Sequence, residues 1–261
     1  MSGRLVGRTA LVTGAAQGLG GAHIRRLAEE GAAVIAVDRQ APEADAFGQS
    51  IAQVAAVGGK VLARCADVTD LASLERVAAE GATAFGGIDI LVANAGIFPP
   101  HRPTMDLAPA DWAATLAINL TGSWNAVRAV LPYIRKGGRG GSIILTSSIY
   151  GLKGSAGAAH YTASKHGVVG LMRSLALELG PESIRVNSVH PTTVETPMLR
   201  SLLPEGAGEA ERASMLEGYN VLPVPWIDPV EVSNAIVFLA SDEGRLITGV
   251  TLPVDAGTLL K

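Results

Sequence analysis

The chain has 261 residues, 48% hydrophobic and 17% charged, with a formal net charge of -3, a balance that suits one large α/β domain and excludes a disordered chain. A nearly neutral protein has no field that would draw nucleic acid or an anionic membrane, so no nucleic-acid or membrane partner is expected and any phosphate contacts are local. Cys65 is the single cysteine and closes no internal disulfide, no signal-peptide core stands at the N-terminus, and no apolar run reaches the roughly 18 residues of a membrane span; a cytoplasmic location is predicted.

In chain order, Thr9 to Thr13 reads as a first strand, followed by a glycine-rich turn and a helix whose apolar residues Ile24, Leu27 and Ala28 share one face. Ala33 to Val37 is a second strand, ending at Asp38. Further short apolar runs, at Val61 to Arg64, Ile88 to Ala93, Ser142 to Ser147, Arg185 to Val189 and Val250 to Val254, are spaced widely enough for helical crossovers. This alternation predicts a single Rossmann-like domain over residues 1–261, a doubly wound parallel sheet of about seven strands with helices on both faces. Aromatic residues are only 4% and glycines number 31, so small aliphatic side chains must fill the interior; Cys65, ending an apolar strand, reads as core filler.

The helical and strand periods both fail between Val194 and Trp226. Beside the carboxyl edge of a parallel sheet, such an excursion is expected to cover a substrate pocket, the alternative being a solvated loop. Leu199, Leu202, Leu203, Met215 and Leu216 would then form an apolar roof, or else pack a short helix.

The sequence after the first strand is Thr13-Gly14-Ala15-Ala16-Gln17-Gly18-Leu19-Gly20, opening a helix. Glycines at 14, 18 and 20 allow a tight turn and let a pyrophosphate approach N–H groups at the positive helix end. Asp38 lies 18 positions beyond Gly20. A carboxylate at the end of the second strand accepts from ribose hydroxyls and repels the extra phosphate of NADP, so NAD is the predicted cofactor, with Arg39 softening the preference. Asp67-Val68 after the third strand and Asn94-Ala95-Gly96 after the fourth lie where a nucleotide would cross the strand ends, although Asp and Asn are also common turn formers.

Tyr161 and Lys165 are four apart in a helical segment and share a face. An ammonium beside a phenol is expected to lower its pKa from about 10, creating a base near an alcohol proton. Ser148, ending the fifth strand, would reach the same substrate oxygen. This is an acid–base set for hydride chemistry performed by a cofactor. His23, His101, His160, His166 and His190 form no pair at metal-binding helical spacing, and no metal is predicted. His101 reads as a surface-loop histidine or as part of the substrate entrance.

Together these residues resemble the short-chain dehydrogenase/reductase superfamily over essentially the whole chain. The resemblance implies a catalytic tetrad of Asn119, Ser148, Tyr161 and Lys165, with Asn119, otherwise a polar residue inside a helix, holding a water that links Lys165 to solvent. It implies a dinucleotide site of Gly14, Gln17, Gly18, Leu19, Gly20, Asp38, Asp67, Val68, Asn94, Ala95, Gly96, Tyr161, Lys165 and Pro191, with Val194 and Thr196 at the carboxamide and nearby phosphate. It further implies a homotetramer built on helices near 111–135 and 157–180. Two departures are Ala93-Asn94 in place of Asn-Asn, and Pro191-Thr192 in place of Pro-Gly, which sets a branched residue near the nicotinamide.

The segments His190 to Met198 and Leu222 to Trp226 resemble the carveol dehydrogenase and mycofactocin-associated branch, whose members oxidise terpenoid or other alicyclic secondary alcohols. That branch carries extra residues after the second strand, where Gln40 to Gly48 is short here. The expected function is NAD-dependent interconversion of a largely apolar secondary alcohol and its ketone. Alternatives are a ketoacyl-thioester reductase acting on acyl carrier protein or CoA substrates, and a non-catalytic NAD-binding sensor or scaffold.

Overall fold

The alternating apolar runs build a central sheet in which every neighbouring pair of strands is parallel. The computed structural model describes residues 3–204 and 206–261; Met1, Ser2 and Glu205, which the single-domain reading and the cover segment include, lie outside the described residues. Seven strands, β1 (Thr9–Thr13), β2 (Ala33–Asp38), β3 (Val61–Cys65), β4 (Ile90–Ala93), β5 (Gly141–Thr146), β6 (Ile184–Pro191) and β7 (Thr251–Val254), stand in the order β3-β2-β1-β4-β5-β6-β7. The crossovers carry α1 (Gly18–Glu29), α2 (Asp45–Ala56), α3 (Leu71–Phe85), α4 (Pro109–Leu116), α5 (Gly122–Gly137), α6 (Ala159–Leu179), α7 (Pro197–Arg200), α8 (Glu209–Met215) and α9 (Pro229–Ala240). The strand order reverses direction between β1 and β4, and this switch point opens a crevice at the carboxyl ends of the strands.

The period of two along each strand divides the interior into two cores. Leu11, Ile35, Leu91, Ile143 and Val186 face one side with α3, α5 and α6. Ala10, Val12, Val34, Val92 and Ile144 face the other with α1, α2 and α9. A sheet buried on both faces needs apolar residues at every position, which is why β1 and β4 contain no alternation of polar side chains.

Cys65 departs from its expected place. It ends the edge strand β3 with its side chain exposed, its thiol donating to the Arg39 carbonyl at 3.3 Å. An edge strand has one uncovered margin, and apolar neighbours in sequence do not reveal which strand will hold it.

Asp89, just before β4, ties together the opposite ends of the strands. Its buried carboxylate accepts from Thr9 N–H at 2.8 Å and from Arg139 Nε and Nη2 at 2.7 and 2.8 Å. Asp89→Ala leaves the Thr9 N–H without its partner and is expected to cost about 2 kcal/mol, read as a lowered urea midpoint at constant m.

Candidate active site

The loop from Thr13 to Gly20 is shaped by backbone requirements. Gly14 adopts φ +68°, and a Cβ there would stand 2.8 Å from Ala95 Cα. A Cβ on Gly20 would fall 1.8 Å from the Gly14 carbonyl oxygen, so α1 could not pack on the loop. Gln17 precedes the first turn of α1 without a side-chain cap, no acidic residue lies in that turn, and its residues Gly18, Leu19 and Gly20 line the cleft, so the first-turn N–H groups have no side-chain partner there. This cradle fits a pyrophosphate.

The predicted nucleotide residues converge along one cleft of about 1000 Å³ that runs from Gly14, Gln17, Gly18, Leu19, Gly20 and Asp38 past Asp67, Val68, Asn94, Ala95 and Gly96 to Tyr161, Lys165, Pro191, Val194 and Thr196. Several also hold the wall together. The Thr13 hydroxyl accepts from Asn94 N–H and Ala95 N–H at 3.0 and 3.1 Å, and Asn94 Nδ2 donates to the Thr13 and Gly14 carbonyls at 3.2 and 3.4 Å. Asp38 accepts from Ala16 N–H and Gln40 N–H, each at 3.0 Å, and its half-exposed carboxylate keeps further lone pairs toward the cleft. Asp67 accepts from the Thr69 N–H and hydroxyl, and these bonds hold its carboxyl below the usual range. Thr196 caps α7 by accepting from Leu199 N–H at 3.3 Å.

Ser148, Tyr161 and Lys165 meet at the far end of the same cleft. Strand β5 ends two residues before Ser148, at Thr146; Ser148 instead caps the short turn Ile149–Gly151, its hydroxyl accepting from Tyr150 N–H at 3.2 Å. Lys165 is buried, donates to the Thr146 carbonyl at 2.8 Å and stands 5.5 Å from the centre of the Tyr161 ring.

The expected lowering of the tyrosine pKa is overturned. Burial pushes the Tyr161 phenol up to about 12, against the opposing effect of Ser148, and pushes the Lys165 ammonium down to about 8. Loss of water disfavours both charged forms, and the ammonium is engaged by a carbonyl rather than by the phenol oxygen.

Asn119 sits in a π-helical turn, Ala117–Thr121, between α4 and α5. Its side chain accepts from Ile97 N–H at 2.8 Å and donates to the Ile97 carbonyl and the Ser164 hydroxyl at 3.0 and 3.1 Å. A Cβ on Gly96 would lie 3.2 Å from Asn119 Oδ1 and 3.5 Å from Lys165 Nζ, so the missing side chain leaves a small polar space between the two.

Residues not singled out from the sequence complete the site. His190 is buried, with Nδ1 2.8 Å from the Ser148 carbonyl and Nε2 2.8 Å from the Ser188 hydroxyl, and burial holds its pKa near 4, so it is a neutral brace. Phe98 stacks on Tyr161 at 4.0 Å, with Tyr150 edge-on to both rings. The nearest signal in sequence was the run Ile97-Phe98-Pro99-Pro100 before His101, whose exposed ring lies 5.2 Å from Phe98 on the cleft wall.

Leu199, Leu202, Leu203 and Leu216 also line the cleft, from the segment that carries α7 and α8. Met215 does not, and is exposed. Thr192, in place of glycine, shares a 2.8 Å hydrogen bond with the Thr258 hydroxyl. Among the described residues no three or more His, Cys, Asp or Glu gather as metal ligands, and no helix is long and apolar enough to cross a membrane.

Comparison with known proteins agrees with this geometry. A family model described as enoyl-(acyl carrier protein) reductase matches residues 14–258. The chain is 46% identical to (-)-trans-carveol dehydrogenase of Rhodococcus erythropolis over 277 aligned positions, covering 99% of each chain. Among solved structures it resembles carveol dehydrogenase from Mycobacterium avium in complex with NAD, with a TM-score of 0.94, 42% identity and coverage of 99% of this chain and 100% of that one. A short chain dehydrogenase from Mycobacterium paratuberculosis bound to NAD is 41% identical with a TM-score of 0.88, covering 99% of this chain and 100% of that one. With the glycine cradle, the parallel sheet and the Ser-Tyr-Lys group in one cleft, the chain belongs to the short-chain dehydrogenase/reductase family.

Proposed function

We propose that this protein is an NAD-dependent oxidoreductase that interconverts a largely apolar secondary alcohol, alicyclic or terpenoid, and its ketone. The observation that carries the proposal is the continuity of one cleft from the glycine loop and Asp38 to Ser148, Tyr161 and Lys165, under a wall of leucines. Relatives named as carveol dehydrogenases, at 46% and 42% identity, support the alcohol class and the cofactor.

In this reading Gly14, Gln17, Gly18, Leu19 and Gly20 hold the pyrophosphate, Asp38 the ribose hydroxyls, Asp67 and Val68 the adenine end, and Asn94, Ala95 and Gly96 the middle of the dinucleotide. Lys165 bonds the nicotinamide ribose, while Pro191, Val194 and Thr196 hold the carboxamide end. When bound, NAD would supply the hydride acceptor in oxidation and the donor in reduction, and in its oxidised form a positive charge within the cleft.

Ser148 hydrogen-bonds the substrate oxygen and Tyr161 removes the hydroxyl proton as the carbon loses hydride and becomes the carbonyl. In reduction the Tyr161 phenol returns that proton to the oxygen. Lys165 and a water held at Asn119 pass the proton onward, for which the space beside Gly96 is suited.

A carrier-bound thioester fits less well, because Arg200 and Arg212 in the cover segment are paired with Glu195 rather than left to grip a phosphate. The cover segment is assigned to residues 194–226, and Trp112, Trp124 and Leu177, exposed on α4, α5 and α6, support assembly as a homotetramer. A cytoplasmic location accompanies this reading.

The test is a panel of cyclic, aromatic and linear secondary alcohols offered with NAD and with NADP. Turnover of alicyclic alcohols with NAD favoured is expected; strong preference for NADP, or no turnover of any alcohol or its ketone, rejects the proposal.

A further inference from the structure

We propose that the hydroxyls of Tyr150 and Tyr219 form a second polar subsite in the cleft, one that selects alicyclic alcohols carrying a second oxygen on the ring. The inference rests on the dehydrogenase reading above and narrows its substrate class.

The two hydroxyl oxygens lie 3.2 Å apart although their residues are 69 positions apart in sequence, and both side chains line the cleft. Tyr150 follows β5 on the turn that Ser148 caps, and its ring stands edge-on to that of Tyr161 with centres 6.2 Å apart. The Tyr150 ring is therefore next to the ring of the reactive phenol, and the hydroxyl pair belongs to the same cleft.

Two hydroxyls carry two protons, and one is used between them. Among the described residues no protein atom accepts the other. The pair thus offers a substrate one donor and, on the oxygen that donates inward, a free lone pair. A hydroxyl or a carbonyl satisfies this equally. Phe98, Leu199, Leu202 and Leu216, which also line the cleft, offer no such partner. A purely hydrocarbon substrate would strip water from the pair and leave it unmatched, which is the condition under which a polar site discriminates most strongly.

The subsite is also held in place. Asn220, next to Tyr219, is buried; its Oδ1 accepts from the Thr258 hydroxyl at 2.6 Å and its Nδ2 donates to the Val224 carbonyl at 2.7 Å. Thr192 joins this network through Thr258. The threonine that stands where the family has glycine therefore anchors the chain carrying Tyr219. A hydroxyl placed on such a support loses little freedom on binding. Burial raises the Tyr219 pKa further above that of an ordinary phenol, so its hydroxyl keeps its proton throughout the working range.

The experiment compares two near-isosteric substrates with NAD: cyclohexanol bearing a hydroxyl on the opposite ring carbon, and cyclohexanol bearing a methyl group there. The ratio of their kcat/KM values is measured in the wild type, in Tyr219→Phe and in Tyr150→Phe, with thermal melting to confirm that each variant folds. The symmetry of the diol cancels in this comparison.

The wild-type ratio should favour the hydroxyl compound and fall about three- to tenfold in either variant, mainly through KM, as the loss of one hydrogen bond implies. A ratio that is the same in all three proteins overturns the subsite while leaving the dehydrogenase reading intact. Failure of the wild type on both compounds and on the whole alcohol panel overturns the reading beneath it; failure on both with turnover of other alcohols overturns the subsite alone.

Discussion

Tyr161→Phe is expected to reduce kcat/KM on the order of a thousandfold, the usual scale of a positioned acid–base group, while NAD affinity stays close to that of the wild type. The substitution removes one hydroxyl oxygen and keeps the ring, which packs against Phe98 at 4.0 Å, so the fold and the cleft survive it. Steady-state kinetics paired with calorimetric NAD titration separates the two effects; a variant that retains wild-type turnover removes the proton-transfer role.

The direction of the pH dependence follows from burial. With the phenol near 12, oxidation draws on a phenolate fraction that grows tenfold per pH unit below that value. Alcohol oxidation should therefore accelerate from pH 7 toward pH 9, with the charge of bound oxidised NAD shifting the curve toward neutrality without changing its sign. Ketone reduction uses the protonated phenol, which is already the dominant form at pH 7, and should show no such rise. The Lys165 ammonium, near 8, begins to lose its charge in the same interval and will blunt the upper end of the oxidation profile.

The second large effect is expected at the glycine cradle. Gly20→Ala places a Cβ 1.8 Å from the Gly14 carbonyl oxygen and 2.9 Å from Ala15 Cα, both backbone atoms that cannot rotate away. The loop must open, at a cost of about 1–3 kcal/mol of stability by the usual scale of overpacking. A displacement near 1 Å of groups that position a ligand can cost about a hundredfold, so NAD affinity should fall by that order. Gly48→Ala in α2 is the internal control: the nearest atom to its added Cβ is 3.7 Å away, and stability should hold or rise slightly. Comparable NAD affinity in wild type and Gly20→Ala would refute the cradle.

Most of the architecture could be read from periodicity. The strand starting at Thr9 has its predicted bounds, and β2 and β3 differ from theirs by one residue. Two-residue shifts occur at the start of β4, at Ile90 rather than Ile88, and at the end of β6, at Pro191 rather than Val189, while β5 stops one residue early at Thr146 and Ser148 turns to cap Ile149–Gly151. An apolar run marks a buried strand well, but its ends depend on which backbone groups find ladder partners, and those partners belong to other strands.

The sequence by itself determined the parallel sheet, the glycine loop leading into α1, the acidic end of β2 and the four-residue spacing of Tyr161 and Lys165, because each is a local pattern of period, turn chemistry or helical geometry. Only the tertiary structure decided the rest. It exposed Cys65 on an edge strand, raised rather than lowered the Tyr161 pKa, engaged Asn119 with Ile97, set neutral His190 beneath Ser148 and brought Tyr150 to Tyr219. Each of these depends on burial or on a contact between residues distant in the chain, and neither desolvation nor long-range contact leaves a trace in local spacing.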